Sequence, residues 1–198
     1  MMSEKLDIVI AGVGGQGTVL ASRVLAQAAL NCNLSAKTSE TIGMAQREGT
    51  VLSHVRIGAE DFGPVIGHHR ADVLLGFEPG EAQRACGLVK TSGFGLVNIH
   101  PVSPVSAALG RSSYPSAEIQ RYLCSLPLAM TFINAFQLAK AAGNFRTVNS
   151  VMLGALSSTG ILPVPKEELK KVLLEMVPER AREVNEQAFE LGFGALLN

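Results

Sequence analysis

The chain contains no tryptophan, and charged residues make up only 17% of it, which leaves little to build a charged binding face. Neither sign prevails, since 17 Lys and Arg stand against 17 Asp and Glu. The basic residues are scattered and do not interleave with aromatics. Such a surface gathers neither a phosphate backbone nor an acidic membrane, so nucleic acid is excluded as a partner. Cysteine is scarce as well. Cys32, Cys86 and Cys124 are far apart and odd in number, with no Cys-x-x-Cys pair. A zinc or iron–sulfur site built by this chain alone is therefore not expected. The three read as reduced, buried or half-buried thiols of a cytosolic protein. Long apolar runs are missing too. Met1 to Lys5 lacks the apolar core of a signal peptide. Leu126 to Ala142 is too short for a bilayer and is interrupted by Asn134, Gln137 and Lys140. The expectation is a soluble, cytoplasmic protein without membrane contact.

What is present is an apolar globular chain of 198 residues, enough for one domain with a real core. Its most informative stretch is Asp7-Ile8-Val9-Ile10-Ala11, then Gly12-Val13-Gly14-Gly15-Gln16-Gly17, then Thr18 to Leu25. This reads as a buried strand, a glycine-rich turn and the first turns of a helix. Gly12, Gly14 and Gly17 have the spacing of a dinucleotide-binding fingerprint. Gly12 permits the tight turn, Gly14 lets backbone approach a phosphate, and Gly17 lets the helix pack close to the strand. The helix N-terminus offers N–H groups to an anion. The other reading, a turn that simply needs glycine, stays open.

Strands and helices alternate through the first two-thirds. A short second strand is expected near Leu34 to Thr38. Thr50 to Ile57 alternates as a strand with one polar face, made of Thr50, Leu52, His54 and Arg56. Ala71 to Phe77 reads as a buried strand, Glu81 to Val89 as a helix and Phe94 to Ile99 as a strand. Strands separated by helices imply parallel pairing. Val102 to Ser116, rich in Ser, Pro and Gly, reads as a long surface loop. From Ser125 onward the pattern is helical. Leu128 to Ala142 and Val148 to Ser158 are apolar helices. A helix from Lys166 carries Leu169, Val172, Leu173 and Met176 on one face. Pro178 opens the first turn of a last helix, which reaches about Leu191. The fold class is α/β: a three-layer, Rossmann-like single domain over 1–198 with a mostly parallel sheet and a helical C-terminal part.

Few residues offer chemistry. The acidic ribose ligand of an NAD site would lie about twenty residues past the glycines. Lys37 falls nearest that place and Glu40 a little late, which argues against NAD and leaves a phosphate-rich ligand such as coenzyme A, or a plain surface lysine. Thr41 to Gly49 holds two glycines, an amide, a guanidinium and a carboxylate between two strands. Arg47 there could grip a carboxylate or phosphate, or pair with Glu48 or Glu40. Glu78, directly after a strand, is either a helix-start residue or a ligand contact. His54, His68, His69 and His100 join no Ser or Cys nucleophile in a local signature. The His68-His69 pair reads as an exposed turn. Asn134 and Asn149, in apolar helices, read as helix–helix hydrogen bonds.

These segments together resemble a known family. Gly12 to Gly17, the run Gly43-Met44-Ala45-Gln46-Arg47 leading to Ser53-His54-Val55-Arg56-Ile57-Gly58, Phe77-Glu78-Pro79 with Glu81-Ala82, and Asn149 with Met152-Leu153-Gly154-Ala155 are similar to the gamma component of 2-oxoacid:ferredoxin oxidoreductases. Within that family they are most like the beta subunit of the indolepyruvate enzymes. One departure is Glu48, where the family has glycine after the loop arginine. The resemblance implies an enzyme that decarboxylates a 2-oxoacid on thiamine diphosphate, reduces ferredoxin through iron–sulfur clusters and forms acyl-coenzyme A. This chain has no Gly-Asp-Gly…Asn thiamine motif and no cluster cysteines. Thiamine and clusters are then expected on catalytic partner subunits, and the chain is expected to be inactive alone. Isolated, it is open to homodimerisation. The expected cofactor-binding residues are Gly12, Gly14, Gly15, Gln16, Gly17, Arg47 and Glu78, with no catalytic residue and no metal ligand. The alternatives are a self-sufficient nucleotide- or coenzyme A-binding oxidoreductase and a regulatory module.

Overall fold

The run Leu6–Val13 forms strand β1 and is buried along its whole length. A strand buried this way lies inside a sheet covered on both faces. The computed structural model of the chain describes residues 5–42, 49–58, 63–102 and 114–197. The other strands are Ala36–Ile42 (β2), Thr50–Ile57 (β3), Ala71–Gly76 (β4), Val89–Asn98 (β5) and Ala129–Ile133 (β6). They form one sheet in the order β2-β3-β1-β4-β5-β6. The pairs β1–β4, β4–β5 and β5–β6 are parallel. Helices Thr18–Asn31 (α1), Ala135–Ala141 (α4), Val148–Ser158 (α5), Lys166–Met176 (α6) and Arg182–Gly194 (α7) gather on one side. Helices Pro79–Ala85 (α2) and Ser116–Ser125 (α3) cover the other. Side chains along β1 alternate between the two cores. Ile8 and Ile10 join the first, Val9 and Ala11 the second. The result is the expected three-layer α/β arrangement with a mostly parallel sheet. No helix among the described residues is long and apolar enough to cross a membrane.

Strand β3 departs from the expected parallel pairing, running antiparallel to both β1 and β2. Residues 43–49, which join β2 to β3, are too few for a crossover, which needs roughly a dozen or more. The chain can only fold back. Its supposedly polar face is also covered. Ile66, itself buried, donates its N–H to His54 Nδ1 at 3.3 Å, and Arg56 Nη1 donates to the Gly63 carbonyl at 2.9 Å. His54 and Arg56 are thus buried.

Five other expectations change. The helix after β4 is α2, Pro79–Ala85; a short turn, Cys86–Leu88, then leads into β5 from Val89. Gly87 in that turn is a poor helix former. Helix α3 lies where no helix was expected. The apolar run beginning at Leu128 is no single helix: it supplies edge strand β6 and then α4. A short apolar run does not distinguish a buried strand from a helix, and pairing with β5 decides it here. Asn134 sits between them as the α4 N-cap, its Oδ1 accepting from the Gln137 N–H at 3.1 Å, and is no helix–helix bond. Met176, at the end of α6, is 37% exposed, whereas Leu169, Val172 and Leu173 are buried.

Burial, and next to it the Arg56 charge, hold His54 below the ordinary histidine pKa. The unfolded chain then takes up a proton that the folded one resists. Stability from this group is complete above about pH 6.5 and is lost as pH falls below that value. Urea midpoints at about pH 7 and about pH 5 should show this loss, and His54→Leu should flatten it. An equal decline in the variant would dismiss His54 as its source. His100, also lowered by burial, accounts for a remaining part.

Candidate functional site

Strands β1, β4 and β5 are parallel neighbours, so their carboxyl ends share one edge. Ligands of such sheets bind outside that edge. After Val13 the chain turns through the glycine loop into α1. Gly15 and Gly17 hold left-handed φ values of 95° and 81°, a region open to glycine without strain. Gly17 also abuts α5: a Cβ there would stand 3.0 Å from the Asn149 amide. A Cβ on Gly12 would come within 2.8 Å of Gln16 and Thr18. The close approach at Gly17 is therefore to a helix on the same side, and Gly12 is closed in by side chains. The Gly14 N–H, which the motif would turn toward a phosphate, donates to the Gly49 carbonyl at 2.9 Å.

Gln16 reaches back over the strand ends. Its Oε1 accepts from the Val13 N–H at 2.9 Å and its Nε2 donates to the Phe77 carbonyl at 3.1 Å. A second amide, Asn98 at the end of β5, donates to the same carbonyl at 3.0 Å. Asn98 Oδ1 accepts from the Ala135 N–H at 3.0 Å and the His100 N–H at 3.3 Å. Two amides thus tie β1, β4, β5 and the start of α4 together. Asn98 is 1% exposed, so its hydrogen bonds act at full strength within the protein. Asn98 carries no motif in the linear sequence. Its signal was a lone amide closing an apolar strand at the ligand edge.

Glu78 is buried and extended, at the N-cap of α2. Its Oε2 accepts from the Glu81 N–H at 2.9 Å, and its Oε1 accepts from the Tyr114 hydroxyl. That hydroxyl accepts from the Gly80 N–H at 2.9 Å. Burial, and then the Glu78 carboxylate, push the Tyr114 pKa well up. Of the two readings of Glu78, the geometry assigns the helix start. Lys37 is excluded from the glycine edge by register. It pairs with Arg56, which pairs with Asp7, six residues before Val13 on β1. At about 3.3 Å per residue that is about 20 Å from the glycine turn. Arg47 and Glu48 lie outside the described residues.

A cleft of about 210 Å3 opens next to Gly15 and Gln16, lined further by His100, Phe136, Phe145 and Arg146. His100 stacks on Phe136 with centroids 3.9 Å apart and planes 7° apart. His68 and His69 lie in an exposed turn away from it. Cys32 and Cys86 are half-buried, but Cys124 is exposed, against expectation, because α3 turns it to solvent.

Residues 7–195 match the family described as pyruvate ferredoxin/flavodoxin oxidoreductase. The chain is 38% identical over 194 residues to indolepyruvate oxidoreductase subunit IorB of Thermococcus kodakarensis, covering 97% of this chain and 96% of that one. It is equally 38% identical to the subunit of that name from Pyrococcus horikoshii, again over 97% and 96% of the two chains. The fold matches the crystal structure of the keto/oxoacid ferredoxin oxidoreductase gamma subunit from Geobacter sulfurreducens with a TM-score of 0.71 and 29% identity, covering 97% of this chain and 98% of that one. With a match that runs from the glycine loop through β3 and the Glu78 cap to α5 and α7, this chain belongs to the pyruvate ferredoxin/flavodoxin oxidoreductase family and is a subunit of a 2-oxoacid oxidoreductase.

Proposed function

We propose that the complete enzyme oxidises indolepyruvate or a related aryl 2-oxoacid to acyl-coenzyme A and carbon dioxide, with ferredoxin as electron acceptor. Thiamine diphosphate and iron–sulfur clusters belong to catalytic partner subunits. The observation that carries this reading is the 38% identity, over nearly the whole length, to subunits named for indolepyruvate. The residues of this chain do not fit a cluster. Cys32 closes α1 on one side of the sheet, while Cys86 closes α2 and Cys124 lies in the last turn of α3 on the other. Among the described residues no three His, Cys, Asp or Glu side chains gather as a metal-ligand set.

The part played by this chain is to present the carboxyl edge of its sheet to the partner. Gly15 and Gln16 stand at that edge, held by the Phe77 carbonyl and the α1 N-terminus. Ile42 and Gly49, which flank the Arg47 segment, end β2 and precede β3 at the same edge. Arg47, between those two residues in the sequence, is the cation we propose for a carboxylate or for a phosphate of coenzyme A. Thiamine, when bound by the partner, supplies the electron sink for decarboxylation.

The purified chain alone should oxidise no 2-oxoacid with a dye acceptor, and its visible spectrum should be blank. Adding the catalytic partner should restore coenzyme A-dependent oxidation of an aryl 2-oxoacid. Turnover by the isolated chain above a heat-killed control would sink this reading.

A further inference from the structure

The cleft next to the glycine loop has a chemistry that the glycine motif does not explain. Its floor is the stacked pair of His100 and Phe136. Phe145 adds a second ring, tilted by 44° with its centroid 6.1 Å from Phe136. That ring is 55% exposed, so its face is open to a ligand. Arg146 holds its guanidinium carbon 5.9 Å above the centroid of the Phe145 ring, at the rim. Burial lowers the His100 pKa, so near neutral pH the imidazole presents a neutral π face. The site therefore offers flat aromatic surface with one guanidinium at its mouth.

Its size narrows the occupant. An enclosed cavity of about 150 Å3 holds a benzene ring, and sites for whole drug-sized ligands run from about 300 to about 1,000 Å3. A cleft of about 210 Å3 matches a one- or two-ring group. Deepening the proposed function, and resting on it, we infer that this cleft receives the aryl side chain of the 2-oxoacid, laid against the wall that Phe136 and Phe145 form together, with Arg146 facing its carboxylate. Asn98 is a positioning residue. Through the His100 N–H and the Ala135 N–H it fixes both parts of the floor, and through the Phe77 carbonyl it shares its anchor with Gln16.

The absence of tryptophan makes the test direct, because indole fluorescence excited beyond the tyrosine band comes from ligand alone. Indoleacetate titrated with the full chain should show a saturable rise in anisotropy. Phe136→Leu and Arg146→Gln should each weaken it about tenfold, as loss of a stacking or charged contact does. Phe145→Leu, at an exposed position, tests the same wall without touching the core. In the reconstituted complex the Phe145→Leu KM for the aryl 2-oxoacid should rise about tenfold, whereas the KM for coenzyme A should not. The inference is overturned if wild-type chain shows no saturable binding, if the variants bind equally well, or if adenosine bisphosphate displaces the indole probe. It is overturned too if the coenzyme A KM moves in place of the aryl one. A wild-type complex that turns over no aryl 2-oxoacid would instead remove the proposed function itself.

Discussion

Gly154→Ala should lower stability by at least about 3 kcal/mol, the upper end of what overpacking costs, seen as a large fall in the urea midpoint. Helices α5 and α7 form the most extensive helix–helix contact among the described residues. They cross with backbone against backbone. A Cβ on Gly154 would stand 2.0 Å from the Phe189 carbonyl oxygen, and one on Gly192 2.0 Å from that of Val151. No rotamer relieves a clash between a Cβ and a backbone oxygen, so the helices must separate and their shared contacts with Phe189 and Val151 loosen. Alanine is worth about 1 kcal/mol more than glycine inside a helix, which does not offset this. Gly194, in α7 with open space around it, is the control, and Gly194→Ala should be neutral or slightly stabilising. A Gly154→Ala midpoint within error of wild type would show that the crossing has slack that these distances deny.

Arg56→Met should cost about 3–5 kcal/mol, the usual loss when one partner of a buried ion pair is removed. Arg56 donates to Asp7 through Nε at 2.8 Å and Nη2 at 2.9 Å. The two side chains are 9% and 4% exposed, so the bond is both bidentate and dry. The hydrogen bond to Asp7 is the main reason that Arg56 is held even more firmly in its charged form than usual. Methionine would fill similar volume and leave the Asp7 carboxylate buried beside an apolar group. Lys5 lies 4.0 Å from that carboxylate but is itself 44% exposed, and so offers weak, screened relief. The double change Asp7→Leu with Arg56→Met should recover most of the loss, because two apolar residues need no partner. A single variant as stable as wild type, or a double variant no better than the single, would show that the pair does not matter.

Much of the fold was legible because it follows from local pattern. The Leu6–Val13 strand, the glycine turn and α1 were marked by an unbroken apolar run and by glycines where the chain reverses. Helix α5 begins and ends at Val148 and Ser158, as its apolar content and the following Gly160 foretold. Glu78 was recognised as either cap or contact, and only the Tyr114 hydroxyl, thirty-six residues on, shows why it is the cap. The candidate site was legible in part. Gly15 and Gln16 line the cleft, but the rings and the guanidinium that give it chemistry come from the residues after β5, from α4 and from the turn before α5. Phe136 falls unmarked within the apolar run from Leu128, and Arg146 is one of the scattered basic residues.

The sequence by itself determined which segments are strand or helix wherever a period of two or of 3.6 residues ran long enough, and it determined the glycine turn, because only glycine accepts its φ values. It also carried the family, since that signal is spread over the whole chain. Tertiary structure decided the rest. Strand β3 is antiparallel because a short link leaves no room for a crossover, and β6 is a strand because β5 has an edge to pair. His54 and Arg56 are buried because residues 63–67 lie over them, and Lys37 is far from the glycine turn because register, not sequence distance, sets which strand residues are neighbours. Asn98 became the hub of the site for the same reason: a side-chain amide finds its partners across the sheet, where the linear order of residues does not point.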